Sequence, residues 1–285
     1  SPVAPTMTCS LAGLMTMSTF IDGPAPFTDT IMGQRRLVGV MGTVFSLDIR
    51  DLDLASPAVD RLVAWWQWVD HTFSTYRHDS AISELAAGTR SIDECPEEVR
   101  EVITRCMRAV EASRGYFTAH PHGSLDPTGL VKGWSVEHGS RMLREAGSRS
   151  HCIAAGGDLR SWGRPVPGVP WRLGVVDPFD PNRVIAVVSG DDVAIATSGT
   201  AERGAHIVDP VMRRAPSELA RDLASVTLVG TDLTNIDAMA TAAFAMGSRC
   251  RAWIETQPDL GALVVHANGE TWSRSVPGGP NIEML

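Results

Sequence analysis

Apolar residues recur along this chain with two different periods, and the change from one to the other marks out its elements. Residues 35–50, RRLVGVMGTVFSLDIR, alternate apolar with small or polar side chains, the pattern of half-buried strands, and Gly39 and Gly42 mark a bulge or turn there. From Pro57 to Thr75 the spacing becomes helical: Leu62, Trp65, Trp66, Val69 and Phe73 share one face, which reads as core rather than as a ligand platform. Pro96 opens a second helix in which Val99, Val102, Ile103, Cys106 and Val110 keep the same rhythm up to Gly115. A third helix is predicted from Thr128 to Glu145.

The second half is denser in strands. SHCIAAGGDLRSWG, from Ser150, reads as a buried strand ending in Gly156-Gly157-Asp158, and WRLGVVDP and VIAVVSG as two more. In residues 193–210, VAIATSGTAERGAHIVDP, one β-prone run delivers Thr197, Ser198 and Gly199 at its end. A second short run carries His206 to Asp209-Pro210, so two strand ends converge. ASVTLVG (224–230) is a further strand, NIDAMATAAFAMG (235–247) a small-residue helix, and LVVHANGETW a hairpin about Asn268-Gly269. Strands come in adjacent pairs and triplets without strict alternation with helices, which predicts an α+β fold with antiparallel sheets. Residues 1–34, rich in Ser, Thr, Pro and Met, read as an extended tail. Residues 35–285 read as a single domain of two intimately packed halves.

Composition narrows the function classes. The chain has 285 residues, 44% hydrophobic and 20% charged, the profile of an ordinary soluble globular protein. A net charge of −8 argues against nucleic acid or an anionic membrane as the main partner, since both are met by clustered Lys and Arg. No apolar run approaches the roughly 18 residues of a membrane span. The five cysteines, Cys9, Cys95, Cys106, Cys152 and Cys250, show no CxxC pair and read as single buried thiols. With no basic n-region before the first apolar stretch, they place the expectation in the cytoplasm.

Candidate chemistry gathers in a few places. The hydroxyls and glycine of Thr197 to Gly199, with His206 and Asp209, suit an anionic ligand, while Ser-Gly and Asp-Pro are also ordinary turn pairs. Asp237 and Thr241 are four apart and lie on one helical face. A carboxylate and a hydroxyl together form a sparse hard-oxygen set of the kind Mg²⁺ uses, and Asp237 reads equally as a cap or first-turn acid. Lys132 follows the start of a predicted helix, where a lysine either meets a phosphate or is simply solvated. Gly156-Gly157-Asp158 lacks dinucleotide-fingerprint spacing, and there is no P-loop, GxSxG or HExxH. His120, His122, His138 and His151 show no metal-ligand spacing with His206.

Six segments fall in a telling order: MGT (41–43), FSTYRHDSAIS (73–83), DPTGLVKGWSVE (126–137), AAGGDLRSWG (154–163), ATSGTAERGAHIVDP (196–210) and DAMATAAFAMG (237–247). In that order and spacing the sequence resembles the FAD:protein FMN transferases of the ApbE type, over roughly residues 36 to 270. The resemblance implies a T-fold-like α+β architecture with a ligand cleft between two subdomains. It implies Mg²⁺-dependent transfer of FMN from FAD to a Ser or Thr of an acceptor flavoprotein with release of AMP. FAD pyrophosphatase activity giving FMN and AMP, and flavin binding without turnover, are the alternatives. By the same resemblance Asp237 and Thr241 match magnesium ligands, with the backbone carbonyl near Val131 as a third. Met41, Tyr76, Ser80, Lys132, Asp158, Thr197 and Ser198 match positions lining the flavin nucleotide, and His206 matches a proposed base.

The chain departs from the family in two motifs. Where the family has DPxTGxP, it reads Asp209-Pro210-Val211-Met212-Arg213-Arg214-Ala215-Pro216. The missing Thr-Gly predicts loss of a tight turn that shapes the acceptor groove. The SGxYxR pattern appears as Ser198-Gly199-Thr200-Ala201-Glu202-Arg203, without its aromatic.

Overall fold

The computed structural model describes residues 28–32, 35–121, 123–200 and 207–285. In chain order its elements are β1 (Thr28–Met32), β2 (Arg35–Val40), β3 (Thr43–Ile49), α1 (Pro57–Phe73), α2 (Ala81–Ala87), α3 (Glu97–Ala112) and α4 (Thr128–Glu145). Then come β4 (Ser150–Ala155), β5 (Asp158–Gly163), β6 (Trp171–Asp177), β7 (Asp180–Gly190), β8 (Asp192–Gly199) and α5 (Pro216–Asp222). The chain continues through β9 (Leu223–Gly230), α6 (Leu233–Met246), α7 (Cys250–Ile254), β10 (Gly261–His266), β11 (Thr271–Arg274) and β12 (Asn281–Met284).

Nine strands form one antiparallel sheet in the order β1-β2-β3-β4-β5-β8-β9-β10-β11, and β12-β7-β6 form a second. The predicted α+β class with antiparallel sheets is what the chain adopts. The two faces of the large sheet bury different partners. Val38, Phe45, Ile153, Ala194, Ala196, Val226 and Leu228 face the helices. Cys152, Ala154, Leu159, Val193, Ile195 and Val229 face Trp171, Leu173 and Val188 of the small sheet. A strand with both faces covered cannot alternate between apolar and polar, and all eight residues of β9 are buried.

The helices follow their predicted faces closely. Leu62, Trp66, Val69 and Phe73 of α1 are buried, and the Trp66 indole N–H donates to the Ser135 carbonyl at 3.1 Å. Trp65 is only partly covered and stacks on His138, with centroids 4.2 Å apart and planes 15° apart. In α3, Val99, Val102 and Cys106 are buried and Val110 is exposed. Cys95, Cys106, Cys152 and Cys250 are free and buried; Cys9 lies outside the described residues.

Three expectations change. Gly156-Gly157 is a turn inside a hairpin, so Asp158 opens a strand rather than closing one. Thr28–Met32, placed in the extended tail, pairs with β2 as an edge strand. Ile207–Asp209 is not a strand, so among the described residues only β8 delivers a strand end to the 193–210 stretch.

Candidate functional site

The site is built where α4 and α6 cross beneath β5 and β8. Helix α6 is mostly alanine and other apolar residues, buried almost throughout between α4 and the sheet. Close approach is possible because α4 offers glycine at the crossing. A Cβ on Gly133 would meet Asp237 Cβ at 2.6 Å, and one on Gly129 would lie 3.9 Å from Thr241 Oγ1. Thus Gly129 and Gly133, four apart on α4, face Thr241 and Asp237, four apart on α6.

The sheet makes room in the same way. In β8, Ala194 and Ala196 face α6 with little bulk, and Ser198, next on that face, brings its hydroxyl to 3.4 Å from Thr241 Oγ1. Asp158 and Arg160 project from β5 towards α4 as two further alternate positions. Lys132 Nζ meets Asp158 Oδ2 at 2.9 Å, and Arg160 Nε meets Glu137 Oε2 at 2.8 Å. Glu137 Oε2 also accepts the Leu233 N–H at 2.8 Å, which ties the first turn of α6 to α4. Arg160, 2% exposed, is balanced on its other side by Asp192 at 2.6 Å.

Asp237 is not the helix cap. Asp232 takes that role, accepting the Thr234 N–H at 3.0 Å, and Asp237 sits a turn further on at 5% exposure. Its Oδ2 accepts the Gly133 N–H at 2.8 Å. Burial pushes its carboxyl well above the ordinary carboxylate range and repulsion from Asp158 adds to this, against the Lys132 ammonium and the Gly133 N–H. Among the described residues Asp158 and Asp237 thus lie beside the Lys132 ammonium, and their mutual repulsion would be eased by a shared proton or by a further positive charge.

Met41 belongs to the same region. It turns the β2–β3 hairpin in the left-handed conformation (φ 53°), followed by Gly42 at φ 70°. Its backbone N–H is held by Asp70 of α1, whose carboxyl is raised chiefly by burial. Its Sδ lies 3.8 Å from Ser135 Oγ, which donates at 2.8 Å to the Lys132 carbonyl.

The structure therefore brings together Met41, Lys132, Asp158, Ser198, Asp237 and Thr241. Val131 lies in the first turn of α4 with its side chain in the core, which leaves only its backbone carbonyl for a ligand. Three other candidates have surroundings of their own. Ser80 is a helix cap: its hydroxyl accepts the Ser83 N–H at 3.0 Å and donates to the Ser74 carbonyl at 2.6 Å, so it is spent inside the α1–α2 connection. Thr197 points to the opposite face from Ser198, because adjacent strand residues must, and pairs with Thr227 Oγ1 at 2.9 Å. Tyr76 is 78% exposed on the loop after α1. His206, with Ala201, Glu202 and Arg203, lies outside the described residues, as does His122.

Sequence reasoning missed Glu137 and Arg160. Charged residues at alternate positions, Asp158 and Arg160, in an otherwise buried strand were the available signal.

The turn after Asp209 corrects another expectation. It is kept without Thr-Gly: Asp209 Oδ1 accepts the N–H groups of Val211 at 3.0 Å and Met212 at 2.8 Å. Arg213 takes the left-handed conformation (φ 56°).

Among the described residues no three His, Cys, Asp or Glu side chains form a metal-binding group. Any cation here would rest on Asp237 with hydroxyl and carbonyl oxygens, a donor set suited to Mg²⁺. Among the described residues no helix is long and apolar enough to cross a membrane.

Comparison with known proteins is consistent throughout. The model of the ApbE family matches residues 41–121 and 118–264. A FAD:protein FMN transferase of Vibrio cholerae is 30% identical over 136 residues, 45% of this chain and 40% of that protein. One of Treponema pallidum is 28% identical over 197 residues, 60% of this chain and 54% of that one. The chain thus spans about half the length of the curated relatives it matches. Among solved structures, the ApbE protein of Thermotoga maritima superposes with a TM-score of 0.73 at 20% identity, covering 88% of this chain and 97% of that one. The flavin transferase ApbE of Vibrio cholerae gives 0.71 at 20% identity, covering 88% and 98%. These two likenesses carry the fold.

Proposed function

The chain belongs to the ApbE family, and on that premise we propose that it transfers FMN from FAD to a Ser or Thr hydroxyl of an acceptor flavoprotein, releasing AMP, in a Mg²⁺-dependent reaction. The observation that supports this reading best is the meeting of Lys132, Asp158, Asp237, Thr241 and Ser198 between α4, α6, β5 and β8. Among the described residues it joins a cation suited to phosphate oxygens to two neighbouring carboxyl groups whose ionised forms a further positive charge would favour.

In the reaction the acceptor hydroxyl oxygen bonds to the FMN-side phosphorus. The bond from that phosphorus to the bridging oxygen breaks, and AMP leaves with that oxygen. The hydroxyl proton passes to a base, the role the family resemblance gives His206. Lys132 stabilises negative charge on the diphosphate, and Asp158, 0% exposed, fixes the Lys132 ammonium in place. Asp237 and Thr241 would hold Mg²⁺, with the Val131 carbonyl, and the cation would neutralise diphosphate charge. Positioning and charge stabilisation carry most of the rate in such chemistry. The four buried thiols are compatible with a reducing compartment, and a cytoplasmic location is part of the proposal.

The test is incubation with FAD, Mg²⁺ and a flavin-free acceptor domain bearing the target threonine, followed by a denaturing gel scanned for flavin fluorescence. A fluorescent acceptor band is expected. Free FMN and AMP without a band would mean hydrolysis, and FAD recovered intact would mean binding alone; either sinks the proposal.

A further inference from the structure

One side chain fastens the turn after Asp209 to the far end of α6. Arg214 Nε meets Asp209 Oδ2 at 3.1 Å, its Nη1 meets Asp222 Oδ2 at 2.6 Å, and its Nη2 donates to the Met246 carbonyl at 3.3 Å. These partners belong to three places in the fold: the turn, the end of α5 and the last turn of α6. Asp209 is fully buried and also closes the turn through the Val211 and Met212 N–H groups. Arg249 gives a weaker second bond, 3.5 Å from Asp209 Oδ2, with its guanidinium 5.4 Å from the Tyr116 ring centre.

The end of α6 is shaped to receive this guanidinium. Gly247 stops the helix at φ +61°, and a Cβ there would overlap Arg214 Nη2 and come within 2.7 Å of Asp222 Oδ2. Only a hydrogen at that position leaves room for the bridge. An arginine that served the turn alone would bond locally, as Asp209 does. Arg214 instead spends its planar fork on joining separate elements, which a lysine's single ammonium cannot reproduce.

The helix so anchored is the one that carries the candidate ligands. Met246 is five residues beyond Thr241 and nine beyond Asp237, about 8 Å and about 14 Å along the axis. The turn exposes Val211 and Met212.

We propose that Arg214 is a positioning residue for transfer: it locks the Asp209–Arg214 turn to α6, so that an acceptor resting on the turn is held at a fixed distance from Asp237 and Thr241. This rests on the transferase reading. An oxygen nucleophile misplaced by an ångström loses much of its rate while FAD binding, set further along α6, is spared.

The test uses the full chain with Arg214→Ala and Arg214→Lys. With the flavin-free acceptor domain, Arg214→Ala is expected to lower the rate of acceptor labelling about tenfold or more, with FAD affinity within about twofold of the parent. The deleted group leaves two carboxylates and a carbonyl facing a gap, so millimolar guanidinium restores labelling and equal methylammonium does not. Arg214→Lys falls between. Hydrogen exchange at residues 207–216 reads the latch without activity: protection is lost in Arg214→Ala and regained with guanidinium. Unchanged labelling, parallel loss of labelling and FAD affinity, or no discrimination between the two cations overturns the proposal. A parent protein that labels no acceptor overturns the transferase reading and this role with it. Guanidinium-dependent protection would then show that the latch is real and that its purpose was misread.

Discussion

Gly133 donates its backbone N–H to Asp237 Oδ2 at 2.8 Å, although the two residues stand 104 positions apart. The bond exists because a glycine lets α4 and α6 touch there. In an isolated helix Gly→Ala gains about 1 kcal/mol. At Gly133 the added carbon would lie 2.6 Å from both Asp237 Cβ and the Leu233 carbonyl oxygen. Overpacking of that kind costs about 1–3 kcal/mol, so it outweighs the propensity gain. Gly133→Ala is therefore expected to lower the urea midpoint and FAD turnover together. Gly129→Ala is the control, since its carbon finds its nearest neighbour, Phe117, at 3.4 Å. It should leave stability unchanged or raised; a Gly133→Ala protein as stable as the parent would show that the helices are not packed this tightly.

Asp237 places activity and stability in opposition. Its carboxyl is raised in the folded state, first by burial and then by Asp158, so ionisation disfavours folding at neutral pH. Asn in its place keeps an oxygen for the Gly133 N–H and turns an amide towards Asp158. Asp237→Asn is expected to raise Tm in EDTA while lowering FAD turnover about 100-fold or more. Mg²⁺ should raise Tm of the parent and leave the variant unmoved. Differential scanning fluorimetry with and without Mg²⁺ checks this; equal Mg²⁺ stabilisation of both proteins would remove Asp237 from the ligand set.

Periodicity made the scaffold legible. The helix predicted over residues 128–145 is α4 as it stands, and the four-residue interval of Asp237 and Thr241 places both on the face that meets α4. What stayed hidden was pairing over long separations, as in Arg160 with Glu137, or the Leu233 N–H with the same carboxylate. Motif order also does not say which way a side chain faces or what it bonds. Thr197 and Ser198 are adjacent in a strand, so only one of them can face α6. Ser80 heads a short helix, and capping took its hydroxyl. Arg213 hid a turn behind a residue that rarely makes one.

That turn gives a direct test of backbone strain. Arg213 holds φ 56°, a conformation costing a non-glycine residue roughly 1–2 kcal/mol. Glycine relieves the strain and returns part of the gain as entropy of the unfolded chain, roughly 0.5–1 kcal/mol. Arg213→Gly should thus stabilise by about 0.5–1 kcal/mol. Arg213→Val, with a branched Cβ, should destabilise by about 1 kcal/mol or more. Urea midpoints of the three proteins decide the matter; if glycine and valine are equivalent, the left-handed turn does not persist in solution.

His151 sets a pH limit on the fold. Its ring is fully buried, with Nε2 2.8 Å from Ser140 Oγ and Nδ1 3.0 Å from Ser148 Oγ. Burial, helped by Arg160, pushes the imidazole down to about 4. The folded state thus favours the neutral ring, and its contribution is complete above the unfolded value of about 6.5. It is lost progressively as pH falls from there towards 4, and amounts to about 3 kcal/mol by that point. The carboxyls of buried Asp48 and Asp237 and of half-buried Asp70 are raised instead and oppose this trend, so the total slope mixes both signs. The difference between the parent and His151→Gln isolates the histidine: it should shrink by about 3 kcal/mol between pH 7 and pH 4 in urea titrations. Should the variant fail to fold, proton NMR of the parent serves, with the His151 ring expected to stay neutral at pH 5.5. A ring that titrates near 6.5 would mean that the Ser140–His151–Ser148 chain is open to water.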